Sequence, residues 1–155
     1  MTQKAFQDYY PDGFSHCYGC GRLNDKGLKI KSYWDGEQSV ARFTPENHHI
    51  AIPGFVYGGL IASLIDCHCV GTAAAASCRN QGIDIGRQPG LRFVTASLKV
   101  DYLAPTPLGT ELEVRATVLE VKEKKVVVEA KVMAGTLLCA TGHVVAVRLP
   151  GNMIL

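Results

Sequence analysis

The stretch that decides the fold runs from residue 54 to residue 78 and reads GFVYGGLIASLIDCHCVGTAAAASC. Apolar and small residues occupy nearly every face of a helix drawn through it, and this pattern predicts a buried helix over residues 58–77. Asp66 lies in the middle of that helix, with His68 just after it. An ionised carboxylate is costly in an apolar environment unless a partner compensates it. Asp66 therefore needs either a hydrogen-bonded structural role or a chemical one.

Strand patterns flank the helix on both sides. Two strands precede it, and the turn signal Asp35-Gly36 between them favours a hairpin. Three or four strands follow it across short turns, with polar and apolar residues alternating at a period of two. In the first of these, Thr95 and Ser97 fall on the polar face and Ala96 falls on the apolar one. The predicted strands are residues 28–34, 39–44, 93–103, 111–118, 126–133 and 137–149.

This order of elements predicts one domain over residues 1–155, in which residues 1–27 form a turn-rich N-terminal segment. Short turns imply antiparallel neighbours. One antiparallel sheet and one fully apolar helix bury each other best when the sheet wraps around the helix. We therefore predict an α+β chain with the hotdog fold. Because a single sheet leaves an exposed edge, we expect a homodimer, with a tetramer as a second option.

Composition and charge exclude several classes of protein. The formal net charge is +2 and no long run of Lys or Arg occurs, so we expect no nucleic-acid partner. The polar first residues lack the apolar core of a signal peptide. Asp66 and His68 interrupt the apolar stretch, whereas about 20 clean apolar residues are needed to span a bilayer. We expect a cytoplasmic protein without a membrane partner, whose six cysteines are reduced thiols.

The cysteines offer part of a metal site. Cys17 and Cys20 have the spacing of half a zinc site, and Cys67 and Cys69 offer further ligands. Zinc ribbons need a second C-x-x-C, however, and Cys67 and Cys69 point about 200° apart on a helix. We therefore expect no metal, and interpret Cys17 and Cys20 as flanking a glycine turn.

Helix geometry limits how one substrate could meet both ends of the apolar helix. Gly59 and Asp66 share a face but lie about 10 Å apart along the axis, so one carbonyl cannot touch both within one chain. Two such helices packed antiparallel across a two-fold axis could bring them together. At the helix start, Gly58-Gly59 leaves backbone amides free to bind an oxyanion. The alternatives are that these glycines only permit close packing and that Asp66 caps a loop.

Two motifs carry a family resemblance: GFVYGGLIASLID at residues 54–66 and TASLKVDYLAPTPLG at residues 95–109. They resemble the acyl-CoA thioesterases of the 4-hydroxybenzoyl-CoA thioesterase superfamily, the PaaI-like branch above all. In that family the helix opens with an aliphatic residue, His and Gly-Gly, and carries Asp two turns later. The following strand runs Thr-Ala-x-Leu-x-x-x-Tyr and ends before Pro-x-Pro. CYGCGRLNDKGLKI at residues 17–30 also resembles the N-terminal stretch of some members.

The resemblance implies hydrolysis of an acyl-CoA thioester without a cofactor beyond the CoA of the substrate. It implies that Asp66 is the catalytic carboxylate, acting as general base on water or as nucleophile. It also implies that Gly58, with Gly59 beside it, supplies the oxyanion amide from the partner subunit. Thr95 stands where the family often has a hydroxyl residue and would position the water or Asp66.

Two positions depart from the family pattern. Tyr57 replaces the histidine before Gly-Gly, and Ala51 falls where many members have Asn, with His49 nearby. Tyr57 can still donate a hydrogen bond, whereas Ala51 cannot orient a ligand. Tyr57, His49 and Ser97 are our candidates for substrate contacts.

Two other functions fit the same sequence. A hotdog hydratase or dehydratase would pair Asp66 with a catalytic histidine, which would have to be His68 or His49. His68 lies two residues from Asp66 on another helix face, which favours a core histidine bonded to a backbone carbonyl. A non-catalytic acyl-CoA or lipid-binding module would leave Asp66 structural. The basic residues that could meet CoA phosphates are Arg79, Arg87, Arg92, Lys99 and Arg148.

Overall fold

The fold was analysed on a computed structural model, in which residues 3–86 and 92–150 are described. They contain one long helix, α1, and six strands. Three short 3-10 helices lie at Phe6–Tyr9, Asp12–Phe14 and Asn47–His49. The bounds are α1 Gly58–Asn80, β1 Ser32–Asp35, β2 Gln38–Phe43, β3 Phe93–Tyr102, β4 Leu112–Val121, β5 Lys125–Ala134 and β6 Leu137–Arg148.

The six strands form one antiparallel sheet in the order β1-β2-β4-β5-β6-β3. Gly36 has φ +64° in the tight turn between β1 and β2, where Asp35 pairs with Gln38. Only glycine adopts that conformation at no steric cost. The last strand in the order, β3, forms one edge of the sheet. The sheet and the single long helix confirm the predicted hotdog architecture.

The core lies between α1 and the concave face of the sheet. Leu64, Ile65 and Cys69 of α1 are at most 1% exposed and pack against valines of β4, β5 and β6 that are equally buried. Gly142 of β6 lies so close to Ile65 that a Cβ at this position would overlap its side chain. The helix therefore rests directly on the backbone of the sheet. This close contact fixes the distance between α1 and the sheet, and with it the position of the polar residues of α1 relative to the strands.

The helix extends three residues beyond the predicted end, to Asn80. Gly82 has φ +66°, and the amide of Ile83 donates to the carbonyl of Cys78 at 2.9 Å. This is the hydrogen bonding of a glycine-terminated helix end. Arg79 belongs to this last turn, and its guanidinium lies over the ring of Trp34 at 3.8 Å. This cation–π contact stabilises the polar end of the helix, which the apolar pattern of the sequence does not predict.

The first strand is shorter than predicted, since β1 begins at Ser32 and not at residue 28. The amide of Leu28 donates to the carbonyl of Tyr18 at 2.9 Å, and the amide of Ile30 donates to that of Gly19 at 3.0 Å. Residues 28–30 therefore bond to the N-terminal turn and not to a neighbouring strand. Alternation of apolar residues cannot distinguish these two partners.

By length and composition α1 could cross a membrane, with a mean hydropathy of 1.4 over its most apolar window. In this fold 67% of that window is buried inside the protein. The helix is thus covered by its own sheet.

Candidate active site

Asp66 and Thr95 form a hydrogen-bonded pair between the helix and the edge strand. The Thr95 hydroxyl donates to Asp66 Oδ1 at 2.5 Å. Asp66 is half-buried and Thr95 is exposed in the single chain. Hydrogen bonds to an ionised acceptor are short and strong, so this contact fixes the orientation of the carboxylate. The carboxylate is therefore accessible from outside the chain as well as partnered.

A β-bulge in β3 places Thr95 on the side that faces the helix. Thr95 pairs with Ala146 of β6, whereas Ser97 pairs with the next residue, Val145, so that Ala96 is an extra residue in the strand. Ala146 is fully buried, and residues directly opposite each other point to the same side of a sheet. The predicted strict alternation is therefore wrong at Ala96. Thr95 faces α1, whereas Ser97 lies on the outer face, away from Asp66.

The Asp66–Thr95 pair opens into a cavity of about 330 Å³. Its walls are mainly apolar and come from the N-terminal segment, α1 and β3, and they include Tyr10, Phe14, Val70 and Phe93. An apolar cavity with few polar groups is typical of a small-molecule site. The Asp66 carboxylate is thus presented to a space that could hold an apolar group.

Arg92 is the cationic residue of this cavity, and it is only 8% exposed. Its guanidinium lies over the ring of Tyr10, at 4.1 Å from the centroid. Burial lowers the pKa of Arg92 from its ordinary value, whereas the nearby Tyr10 acts to raise it. Of the five basic residues considered from the sequence, Arg87 lies outside the described residues, and among the others Arg92 alone lines this cavity.

The N-terminus of α1 carries free amides. The amides of Leu60 and Ile61 return to the carbonyl of Tyr57, at 3.1 and 3.4 Å. Those of Gly58 and Gly59 bond to no acceptor among the described residues. Unpaired amides at the positive end of a helix form a ready anion site. Gly58 and Gly59 therefore have the donors that an oxyanion hole requires.

Tyrosine side chains fix this helix start on both sides. The Tyr102 hydroxyl, from the end of β3, donates to the carbonyl of Gly58 at 2.7 Å, and burial raises the pKa of Tyr102. The ring of Tyr57 packs against Gly59, where a Cβ would overlap it, and is 59% exposed. A second cavity, of about 430 Å³, lies beside Gly58 and is lined by Phe55 among others.

His49 lies next to the helix start but outside both cavities. Its carbonyl accepts from the amide of Tyr57 at 2.9 Å, and its Nδ1 accepts from the amide of Glu46 at 2.9 Å. Burial lowers the pKa of His49, and the neighbouring His48 lowers it further. The hydrogen bonds of His49 therefore support the loop before the helix.

His68 is a core histidine, as its position on the helix predicts. It is 0% exposed, and its Nδ1 and Nε2 lie 2.8 and 3.1 Å from the hydroxyls of Ser32 and Ser39. Burial lowers its pKa to about 4. Its partners are serine hydroxyls of β1 and β2, where the sequence favoured a backbone carbonyl. His68 does not line the cavity that contains Asp66.

Three thiols converge beside Asp66, although their spacing in the sequence led us to expect no shared site. Cys17, Cys20 and Cys67 all line the cavity, and the sulfur atoms of Cys17 and Cys67 are 3.8 Å apart. Hydrogen bonds from the thiols of Cys20 and Cys67 lower the pKa of Cys17 well below its usual range. Cys69 is buried in the core, as helix geometry predicts. The C-x-x-C spacing was the available signal, but the third thiol lies far along the chain.

The sequence model of the thioesterase superfamily matches residues 53–145. A thioesterase superfamily protein from Shewanella loihica PV-4 is 52% identical, covers 90% of this chain and 98% of its own, and has a TM-score of 0.69. The chain belongs to the thioesterase superfamily. The matched region includes α1 and most of the sheet, and therefore both members of the Asp66–Thr95 pair.

More distant solved structures share the fold of this thioesterase superfamily member. The PaaI protein from the phenylacetic acid degradation operon of E. coli is 19% identical, with 80% of this chain and 82% of that chain covered and a TM-score of 0.64. The smu.793 protein of Streptococcus mutans UA159, solved bound to acetyl CoA, is 16% identical, with 83% and 96% covered and a TM-score of 0.63. No curated protein matches the sequence significantly.

Proposed function

We propose that this protein hydrolyses an acyl-CoA thioester to a free acid and CoA. The observation that carries the proposal is the Asp66 carboxylate, oriented by Thr95 at 2.5 Å and presented to an apolar cavity. Membership of the thioesterase superfamily supports the reaction class. The acetyl CoA bound to the Streptococcus mutans protein supports CoA as the thiol component.

In the proposed reaction, the carbonyl carbon of the thioester lies next to Asp66. As general base, Asp66 removes a proton from water while the water oxygen bonds to that carbon, and the carbonyl oxygen becomes an oxyanion held by a backbone amide. When the carbon–sulfur bond breaks, the proton returns from Asp66 to the CoA sulfur. Thr95 keeps the carboxylate aligned throughout. We propose that no cofactor takes part in these steps and that the protein acts in the cytoplasm.

Asp66 could instead attack the carbonyl directly and form a mixed anhydride that water then opens. Single-turnover hydrolysis in water labelled with oxygen-18 distinguishes the two routes. A nucleophilic Asp66 would leave label in the protein, because water would attack the anhydride at either carbonyl, whereas a general base would place all of it in the released acid.

We propose that each site combines two subunits of a homodimer, with a tetramer as a second option. Gly58 and Asp66 lie eight residues apart on α1, which separates them by about 12 Å along the axis. One carbonyl therefore needs the Gly58 amide of a partner subunit. The edge strand β3 supports this arrangement, because Leu98 and Tyr102 are 38% and 53% exposed on a strand whose outer edge pairs with no other strand of the described residues.

The positions of the histidines weigh against a hydratase or dehydratase. His68 is enclosed by Ser32 and Ser39, and His49 lies in the loop before α1. Neither lines the cavity of Asp66. A catalytic histidine beside Asp66 would therefore have to come from the partner subunit.

The test is hydrolysis of a panel of acyl-CoA esters, with short, medium and long chains and phenylacetyl-CoA. Release of CoA is followed by chromatography, because the six cysteines would react with a thiol reagent. We expect Asp66→Asn to lower the rate about a hundredfold or more. Asp101→Asn, at an exposed carboxylate on β3, is the matched control and should retain activity.

A wild-type protein that binds these esters without hydrolysing any of them would overturn the proposal and leave a binding module. Equal activity of wild type and Asp66→Asn would overturn the role of Asp66. Circular dichroism of both variants establishes that they are folded.

A further inference from the structure

Three thiols from separate parts of the chain meet at the edge of the cavity. The sulfur atoms of Cys17, Cys20 and Cys67 all lie within 4.8 Å of one another. Cys17 is exposed, and the other two are partly buried. Cys17 and Cys20 belong to the N-terminal segment, whereas Cys67 belongs to α1. The cluster therefore joins the segment to the helix that carries Asp66.

The N-terminal turn brings the sulfur atoms of Cys17 and Cys20 within 4.8 Å of each other. The amide of Gly21 donates to the carbonyl of Cys17 at 2.8 Å, which closes the C-x-x-C turn. A Cβ at Gly21 would overlap the backbone of Cys17, so that the tight turn depends on glycine there. Two cysteines at C-x-x-C spacing are a common pair of zinc ligands, which they bind as thiolates.

The third thiol fits into a space that glycine leaves open. A Cβ at Gly19 would occupy the position of the Cys67 sulfur. Two backbone hydrogen bonds, from Leu28 to Tyr18 and from Ile30 to Gly19, hold the turn to the segment that precedes β1. These bonds are the reason that β1 begins late. The chain has no second C-x-x-C, but α1 supplies a third thiol, Cys67, by tertiary contact.

We propose that Cys17, Cys20 and Cys67 bind a thiophilic divalent cation, Zn²⁺, as three thiolates. A tetrahedral zinc with Zn–S bonds of about 2.3 Å holds its sulfur atoms about 3.8 Å apart. The sulfur atoms of Cys17 and Cys67 are 3.8 Å apart. All three cysteines also line the cavity that contains Asp66.

In this arrangement the ion clamps the N-terminal segment onto α1 and takes no part in the proposed hydrolysis. Tyr10 and Phe14 of that segment form a wall of the cavity. Loss of the ion would release that wall while leaving the sheet intact. Zinc binding by these three thiols does not depend on the acyl-CoA reaction.

The first experiment measures zinc by mass spectrometry. The protein is purified in reductant without a metal-affinity column, incubated with equimolar Zn²⁺ and dialysed against metal-free buffer. We expect about one zinc per chain for wild type and a loss of at least about tenfold in Cys17→Ala, Cys20→Ala and Cys67→Ala. Cys69→Ala and Cys139→Ala are matched controls, since these cysteines are buried outside the cluster, and both should retain zinc.

A second readout replaces zinc with Co²⁺. Thiolate-to-cobalt charge-transfer absorption and tetrahedral ligand-field bands should appear in wild type and in both controls and be lost or altered in the three cluster variants. Wild-type protein that retains no zinc would overturn the proposal, as would equal zinc in all variants. A disulfide between two of these cysteines in freshly purified protein, found by mass spectrometry without reductant, would also overturn it and assign the cluster to redox chemistry.

Discussion

His68 should make the stability of the fold depend on pH in a defined window. Burial lowers the pKa of His68 from 6.5 to about 4 in the folded chain, whereas the unfolded chain has the ordinary value. Well above pH 6.5 both states are neutral and His68 contributes no pH dependence. As the pH falls below that value, His68 binds a proton in the unfolded chain but stays neutral in the folded chain. The free energy of unfolding therefore decreases.

The magnitude follows from the shift. The full loss, reached below the folded pKa, is about 3 kcal/mol, and about 2 kcal/mol of it is lost by about pH 5. We expect this loss between about pH 7 and pH 5 in urea unfolding at fixed protein concentration, because a dimer's stability depends on concentration. His143→Gln, at an exposed histidine of β6, should show the same loss, whereas His68→Gln should lack it.

The ring of His68 gives a direct check that does not depend on the folding of a variant. Nitrogen-15 spectra of the imidazole in the wild-type protein should show a neutral ring at about pH 5. A titration midpoint near 6.5 for His68 would refute the reasoning, since the buried hydroxyls of Ser32 and Ser39 would then accommodate the charge.

Three further substitutions test the site and its support. Thr95→Val should lower kcat about tenfold with little change in KM, and Thr95→Ser should restore it, because only the hydroxyl is needed. Gly58→Pro removes the proposed oxyanion amide at a helix position that accepts proline and should cost about a hundredfold or more in kcat, whereas Gly58→Ala keeps the amide and should stay active. Gly142→Ala should lower the free energy of unfolding in urea by about 1–3 kcal/mol, because its Cβ would overlap Ile65. Gly13→Ala is the control and should leave that free energy unchanged, because no atom lies near its Cβ.

Much of the fold can be predicted from the sequence because its signals are local. The apolar stretch before Asn80 and the alternation in the strands give one helix and six strands, and the short turns give antiparallel pairing. Asp66 can be recognised for the same reason, since a carboxylate within an apolar helix stands out from its immediate neighbours. The glycines at 58 and 59 are visible beside it.

The remaining features depend on single residues or on tertiary contact. The extra residue at Ala96 moves Thr95 to the other face of β3, and a periodic pattern cannot reveal one inserted residue. Leu28 and Ile30 alternate like a strand but bond to the N-terminal turn. Cys67 joins Cys17 only because the turn docks on α1, and no spacing rule covers a contact of that range.

The shared site is the central claim, and a mixed dimer tests it most directly. Asp66→Asn and Gly58→Pro chains are co-expressed with different affinity tags, and the dimer that carries both tags is isolated. One of its two sites then combines an intact Asp66 from one chain with an intact Gly58 from the other. We predict that each variant alone is nearly inactive and that the mixed dimer recovers about half of the wild-type rate. A mixed dimer as inactive as its parents would contradict the claim, because each chain would then need both residues for itself.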